Sequence, residues 1–233
     1  MRKNLLVILI FYVLITSLAM ASVVTSPTDP VMAVDPSNNW ELPGATFTVN
    51  ITIANITEEK SLYGWEFSLN FNSSIINVTS FQEGPFLKAA GPTWWTPYID
   101  NDAGNVGGSD FLFTYPATGA YGSGVLANIT FYAKAAGETP LDLTYHILRH
   151  WNGTDTEAIS HTAVNGTLKV KILGDTNGDG IVDIFDISSI SAHWSPGPPV
   201  GPLGYDIQAD LNKDGAVDIF DIGICSAHWG ETV

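Results

Sequence analysis

Residues 174–194 read "GDTNGDGIVDIFDISSISAHW", and residues 209–229 read "ADLNKDGAVDIFDIGICSAHW". The C-terminal quarter of the chain therefore says nearly the same thing twice, with corresponding residues 35 positions apart.

Counted from Asp175, the first stretch has Asp175, Asn177 and Asp179 at positions 1, 3 and 5, and Gly180 at position 6. Ile181, Asp183 and Asp186 follow at positions 7, 9 and 12. The second stretch places Asp210, Asn212, Asp214, Gly215, Ala216, Asp218 and Asp221 at the same seven positions. This is the spacing of an oxygen-ligand loop for calcium. A hard divalent cation takes about six to eight oxygens, glycine at position 6 permits the sharp turn, and the position 7 carbonyl is a backbone ligand whatever its side chain. One such loop could also be a solvated turn; two that match at every ligand position argue against that. The spacing predicts two calcium ions, and magnesium fits less well because it keeps more of its water. Position 12 is Asp where paired calcium loops usually carry Glu, so the shorter carboxylate alters the reach to the ion.

Each loop is followed by one segment of helical period: Ile187, Ile190, Ser191 and Trp194, then Ile222, Cys225, Ser226 and Trp229. Neither loop has a helix before it, and a Pro-rich connection, "SPGPPVGP", separates the halves. Loop-then-helix repeats with Asp at position 12, the first opening on "GD", resemble a type I-like dockerin over residues 173–233. The resemblance implies a small helical module that folds when calcium binds. It also implies that loop positions 10 and 11, here Ile184, Phe185, Ile219 and Phe220, recognise a cohesin partner. The other reading of these four is that they pack in the module's own core. If they are a surface, it is apolar and repeats about a pseudo-twofold axis.

The middle of the chain has the period of strands. "TFTVNITIA" from Thr46 alternates Phe47, Val49, Ile51 and Ile53 against polar neighbours, which predicts one buried face. "WEFSLNF" turns Trp65, Phe67, Leu69 and Phe71 inward, and "VLANITFYA" does so with Val125, Ala127, Ile129 and Phe131. Shorter runs at "VMAV", "IINVTSF", "DFLFTY", "LDLTYHI", "EAISHTAV" and "TLKVKI" are separated by turn residues. The expectation is a mainly β chain, a jelly-roll β-sandwich of about nine strands, with no sustained helix before residue 183. "LPGATFTVNI", "YGWEFSLNFNSSIINV" and "GVLANITF", in that order, resemble the strand signatures of cohesin domains. That resemblance implies a receptor for dockerins over residues 22–172.

The N-terminus has Arg2 and Lys3, an apolar run from Leu5 to about Leu18, and Ala19-Met20-Ala21, the pattern of a cleaved signal peptide over residues 1–21. An uncleaved anchor is the alternative. Cleavage predicts a chain exported or held at the cell surface, with 7 basic against 24 acidic residues, a net charge of −17. Such acidity excludes nucleic acid as a natural partner. The single cysteine, Cys225, allows no internal disulfide and aligns with Ile190, which predicts a packing role. Asn-x-Ser/Thr triplets begin at Asn50, Asn55, Asn72, Asn77, Asn128, Asn152 and Asn165, all before the duplication. They are candidate glycosylation sites, or the by-product of a Thr-rich sheet surface.

No nucleophile motif is present, the five histidines have no metal spacing, and eight of the 24 acids belong to the loops. The chain reads as a non-catalytic assembly subunit whose partner carries a complementary cohesin or dockerin module, its own copy included. The alternative function is polysaccharide recognition: "PTWWTPY" gathers Trp94, Trp95 and Tyr98, whose faces could stack on sugar rings. Packing at the rim of the sandwich is the plainer reading of those three.

Overall fold

The computed structural model describes residues 29–113, 118–195 and 204–232; residues 1–21, the proposed signal peptide, lie outside them. Among the described residues, twelve strands form two facing sheets. The first orders as β11-β1-β3-β8-β5, from Thr162–Val164 (β11), Val31–Asp35 (β1), Thr46–Ile56 (β3), Gly122–Ala133 (β8) and Ile76–Glu83 (β5). The second orders as β2-β12-β9-β4-β7-β6, from Asn38–Glu41 (β2), Gly166–Val170 (β12), Gly137–Trp151 (β9), Leu62–Asn70 (β4), Asn105–Leu112 (β7) and Thr93–Asp100 (β6). Thr156–Ala158 (β10) pairs with β9 beside this path.

The expected alternation holds on β3 and β4, where Phe47, Val49, Ile51, Ile53, Trp65, Phe67 and Leu69 are all buried, and it continues to Phe71 just past the end of β4. On β8 it holds for Ala127, Ile129 and Phe131 but not for Val125. Ile51 pairs with Ala127 and Thr52 with Val125, so Leu126 is the extra residue of a β-bulge and takes the buried place. The count of about nine strands rises to twelve because β2, β6 and the split of "EAISHTAV" into β10 and β11 carry little apolar alternation. One short helix, Pro85–Lys88 (α1), interrupts the sandwich.

Val170 is the last residue of the sandwich core, and Ile172 belongs to a second, separate core with Val182, Ile190, Ala209, Leu211, Val217 and Cys225. Two helices, Ile184–Ala192 (α2) and Ile219–Ala227 (α3), pack on each other around that core. Cys225 is fully buried with Sγ 3.5 Å from the Gly174 carbonyl oxygen, and burial pushes its thiol up to about 11, the behaviour of a packing residue. Among the described residues, no helix is long and apolar enough to cross a membrane.

Candidate functional site

The duplicated loops fold alike. The position 1 carboxylate reaches across its own loop: Asp175 accepts from the backbone N–H groups of Gly178 (2.7 Å) and Gly180 (3.1 Å), and Asp210 from those of Asp214 (3.2 Å) and Gly215 (2.9 Å). The turn requires φ of +90° at Gly180 and +89° at Gly215, where a side chain would be strained. Asn177 and Asn212 each accept from the N–H two residues on, at 2.8 and 3.0 Å, and Asp179 and Asp214 do the same to Ile181 and Ala216, both at 2.9 Å.

Positions 9 and 12 close the loop and start the helix. Asp183 and Asp218 are N-caps that accept from Phe185 and Phe220 at 2.8 Å, and Asp186 and Asp221 return the bond to the N-cap nitrogens at 2.8 Å, completing a capping box in each half. The second oxygens of Asp186 and Asp221 accept from Thr176 and Leu211 at 2.8 Å, across the loop.

Among the described residues, no three Asp, Glu, His or Cys side chains already stand grouped at metal-ligating separation; the carboxylates rest on backbone N–H groups. The donor set nonetheless fits a hard cation. Asp175, Asp186, Asp210 and Asp221 are between 0 and 3% exposed, and among the described residues none of them has an ion pair. Residues 173–233 carry ten acids against the one fixed cation Lys213. Asp210 also accepts from the Tyr205 hydroxyl at 2.8 Å, but buried carboxylates held by neutral donors carry a large desolvation cost, which a divalent ion among them would offset.

Ile184 and Phe185 are 55 and 65% exposed, and Ile219 and Phe220 are 60 and 66% exposed. They stand in the first turn of α2 and α3, so they are a surface and not the module's core. The helical stripe itself is only partly buried: Ile190 and Cys225 are enclosed, Ile187 and Ile222 are half-buried, while Ser191, Trp194, Ser226 and Trp229 face solvent.

The seven sequons all lie in the sandwich. Asn50 and Asn128 are direct partners across β3 and β8, half-buried, with the Asn128 amide donating to the Asn50 side-chain oxygen at 2.6 Å. Asn77 is half-buried, whereas Asn55, Asn72, Asn152 and Asn165 are exposed. The aromatic trio separates: Trp94 and Tyr98 are exposed on one face of β6, but Trp95 turns inward against Trp65 and Phe81, with ring centroids at 5.5 and 4.8 Å.

Three features escaped the sequence. Asp110 is fully buried, and among the described residues neither the Asp110 carboxylate nor the Trp65 indole N–H has a hydrogen-bond partner. His146 and His161 share a hydrogen bond of 2.8 Å. From the end of the sandwich, Lys169 reaches Gly178 in the first loop and Lys171 reaches Gln208 just ahead of the second.

A family model described as cohesin domain matches residues 32–178, and one described as dockerin type I domain matches residues 173–228. No curated protein matches the chain. Among solved structures, the chain is similar to a non-cellulosomal cohesin from the hyperthermophilic archaeon Archaeoglobus fulgidus, at 12% identity and a TM-score of 0.50, over 61% of this chain and 91% of that one. It is similar to the third cohesin ScaC of Acetivibrio cellulolyticus, solved in complex with a dockerin in a type I interaction, at 20% identity and a TM-score of 0.50, over 60% of this chain and 98% of the other. The sixth cohesin of scaffoldin B from the same organism, also solved with a dockerin, gives 15% identity and a TM-score of 0.52 over 62% of this chain and all of its own. At these identities the likeness is one of fold.

Proposed function

This chain belongs to the cohesin family, with a type I dockerin domain behind its sandwich, and from that premise we propose that it joins protein chains head to tail through calcium-dependent docking. Both modules are non-catalytic assembly modules, and a protein bearing the complementary module is the partner. The finer reading assigns residues 22–172 to the receptor and 173–233 to the docking module, follows a cleaved leader at 1–21, and places the chain outside the cell.

Within the docking module, Asp175, Asn177, Asp179, Asp183 and Asp186, with the Ile181 carbonyl, hold one ion. Asp210, Asn212, Asp214, Asp218 and Asp221, with the Ala216 carbonyl, hold the second. Calcium supplies the positive charge that lets these carboxylates share one site. The chain's own residues do the rest: the capping boxes fix the start of α2 and α3, and so hold Ile184-Phe185 and Ile219-Phe220 outward in the same local geometry.

The observation that carries this reading is the exposure of four large apolar side chains at equivalent positions of two like-folded helices. Apolar residues repeated on two matched first turns suit a partner's surface and serve nothing in the module's own core. Calorimetric titration with calcium tests the sites: the wild type takes up two ions, and Asp175→Ala and Asp210→Ala each lose one. Two sites persisting in either variant would refute the assignment.

Polysaccharide recognition has less support, because Trp95 is packed in the sandwich and leaves only Trp94 and Tyr98 facing solvent. Equal retention of wild type and Trp94→Ala on insoluble polysaccharide excludes it. The exposed sequons at Asn55, Asn72, Asn152 and Asn165 are the ones open to glycan attachment.

A further inference from the structure

β2 and β12 run in parallel, with Lys169 beside Trp40 and Val170 beside Glu41, and beyond their ends lie both duplicated loops. The Lys169 ammonium donates to the Gly178 carbonyl at 2.6 Å. Lys171 is only 8% exposed; its Nζ lies 4.5 Å from the centroid of the Trp40 ring and donates to Gln208 Oε1 at 2.8 Å, just ahead of the second loop. A crevice of about 320 Å³ here is bordered by Trp40, Glu41 and Lys171 of the sandwich and by Asp175, Asp210 and Lys213 of the loops.

Gly178 and Lys213 are the same place in the two repeats, position 4, and share a left-handed backbone, with φ of +78° and +60°. The loops match at all the proposed ligand positions yet differ here. A Cβ on Gly178 would point at Lys171, 3.6 Å from its Nζ, so a lysine there would crowd a third ammonium against Lys169 and Lys171. Lys213 instead borders the same crevice as Glu41, close enough for its charge to favour the Glu41 carboxylate but without an ion pair inside 4.0 Å among the described residues. If the module turned about its pseudo-twofold axis, Lys213 would meet the two lysines and Glu41 would lose its cation.

We propose that the β2–β12 edge is a seat for the chain's own docking module, accepting it in one of its two pseudo-equivalent orientations and making the two modules one rigid body. The charge at position 4 selects the orientation: cations of the sandwich meet Gly178, and its anion Glu41 shares the crevice with Lys213. In this orientation both Ile-Phe pairs remain exposed, so docking goes to another chain and not back onto the same sandwich. The inference deepens the assembly reading, and rests on it only in that the loops must be folded to present position 4.

Backbone ¹⁵N relaxation on the full chain tests the seat, with calcium present and at concentrations where light scattering gives the monomer mass. The wild type should show one rotational correlation time for sandwich and module. Lys169→Ala with Lys171→Ala, and separately Glu41→Lys, should release the module to tumble faster than the sandwich. Combining Glu41→Lys with Lys213→Glu should restore the single value. Two correlation times in the wild type, or one in every variant, would overturn the proposal. Calcium calorimetry on the same samples reads the ion sites independently: two ions bound with separate tumbling sinks the seat alone, and one correlation time without calcium uptake sinks the ion sites alone.

Discussion

Val217 and Ser195 are paired at both ends of their backbones, the Val217 nitrogen donating to the Ser195 carbonyl at 3.0 Å and its carbonyl accepting from the Ser195 nitrogen at 2.7 Å. Val182, the counterpart of Val217, donates to the Glu231 carbonyl at 3.0 Å and accepts from Gly230 at 2.8 Å. Each loop is thus tied to the segment that follows the other repeat's helix. Neither half closes its backbone bonds alone, which explains why the duplication stands as one module.

Gly230→Pro should therefore unfold the docking module. Gly230 has φ of +83°, which proline cannot adopt, and proline removes the N–H that Val182 accepts from. The expected loss is about 3 kcal/mol or more, in a module with a small core. Circular dichroism of α2 and α3 reads it, and helices as stable as the wild type's would show that the cross-repeat pairing does not matter.

Chelator should melt the two modules differently. The sandwich core ends at Val170 and contains none of the acidic loops, so it should keep its transition when calcium is removed. The module built on Ile190, Val217 and Cys225 should lose its own. A single calorimetric transition abolished throughout by chelator would contradict this separation.

Asp110 sets a pH dependence in the sandwich. Burial first, then the nearby Glu83 carboxylate, raise its pKa to about 7, with Lys88 opposing from its 2.8 Å ion pair to Glu83. Because the folded-state value lies above the unfolded one, 3.8, folding retains a proton that the unfolded chain has lost between those pH values. Stability from this group is fully present below about pH 4, falls as pH rises, by up to roughly 1.4 kcal/mol per unit, and levels off above about pH 7. Asp110→Asn should flatten that decline and raise the sandwich's Tm at pH 8. An unchanged slope between pH 5 and 7 would show that Asp110 is ionised in the fold.

How far the sequence was legible follows from how local each signal is. The two like-folded loops were legible as a repeat, since their Asp, Asn and Gly spacing is written in consecutive residues, and the strands of Phe47 and Trp65 showed themselves by alternation. Strand β6 did not, because Pro97 interrupts it and its residues are mostly exposed at the sheet edge. Strand β7 contains Gly107 and Gly108, a weak strand signal; a Cβ on Gly107 would stand 2.4 Å from the Phe67 carbonyl, so the glycine serves close strand approach. Asp110 looks like a turn residue, and its burial follows from a place between its cross-strand partners Trp65 and Trp95, which the sequence does not bring together. Lys171 looks like an outward residue of "LKVKIL" until Trp40, 131 positions earlier, is brought beside it.

Ile184→Asp with Phe185→Asp should leave the module folded, its calcium uptake unchanged and its stability within about 0.5 kcal/mol, because both side chains already face water. Helix loss on circular dichroism would return these residues to the core. Since the second pair offers the same contact, docking should weaken only in part, and adding Ile219→Asp and Phe220→Asp should remove it, each buried anchor being worth about 2 kcal/mol or more at an interface.

Light scattering across a concentration series tests the joining of chains most directly. With calcium, the mass should climb with concentration past that of one chain; with chelator, or in the variant that replaces all four of Ile184, Phe185, Ile219 and Phe220, it should stay at the monomer. A wild-type chain that takes up two calcium ions and remains monomeric at every concentration would contradict head-to-tail assembly.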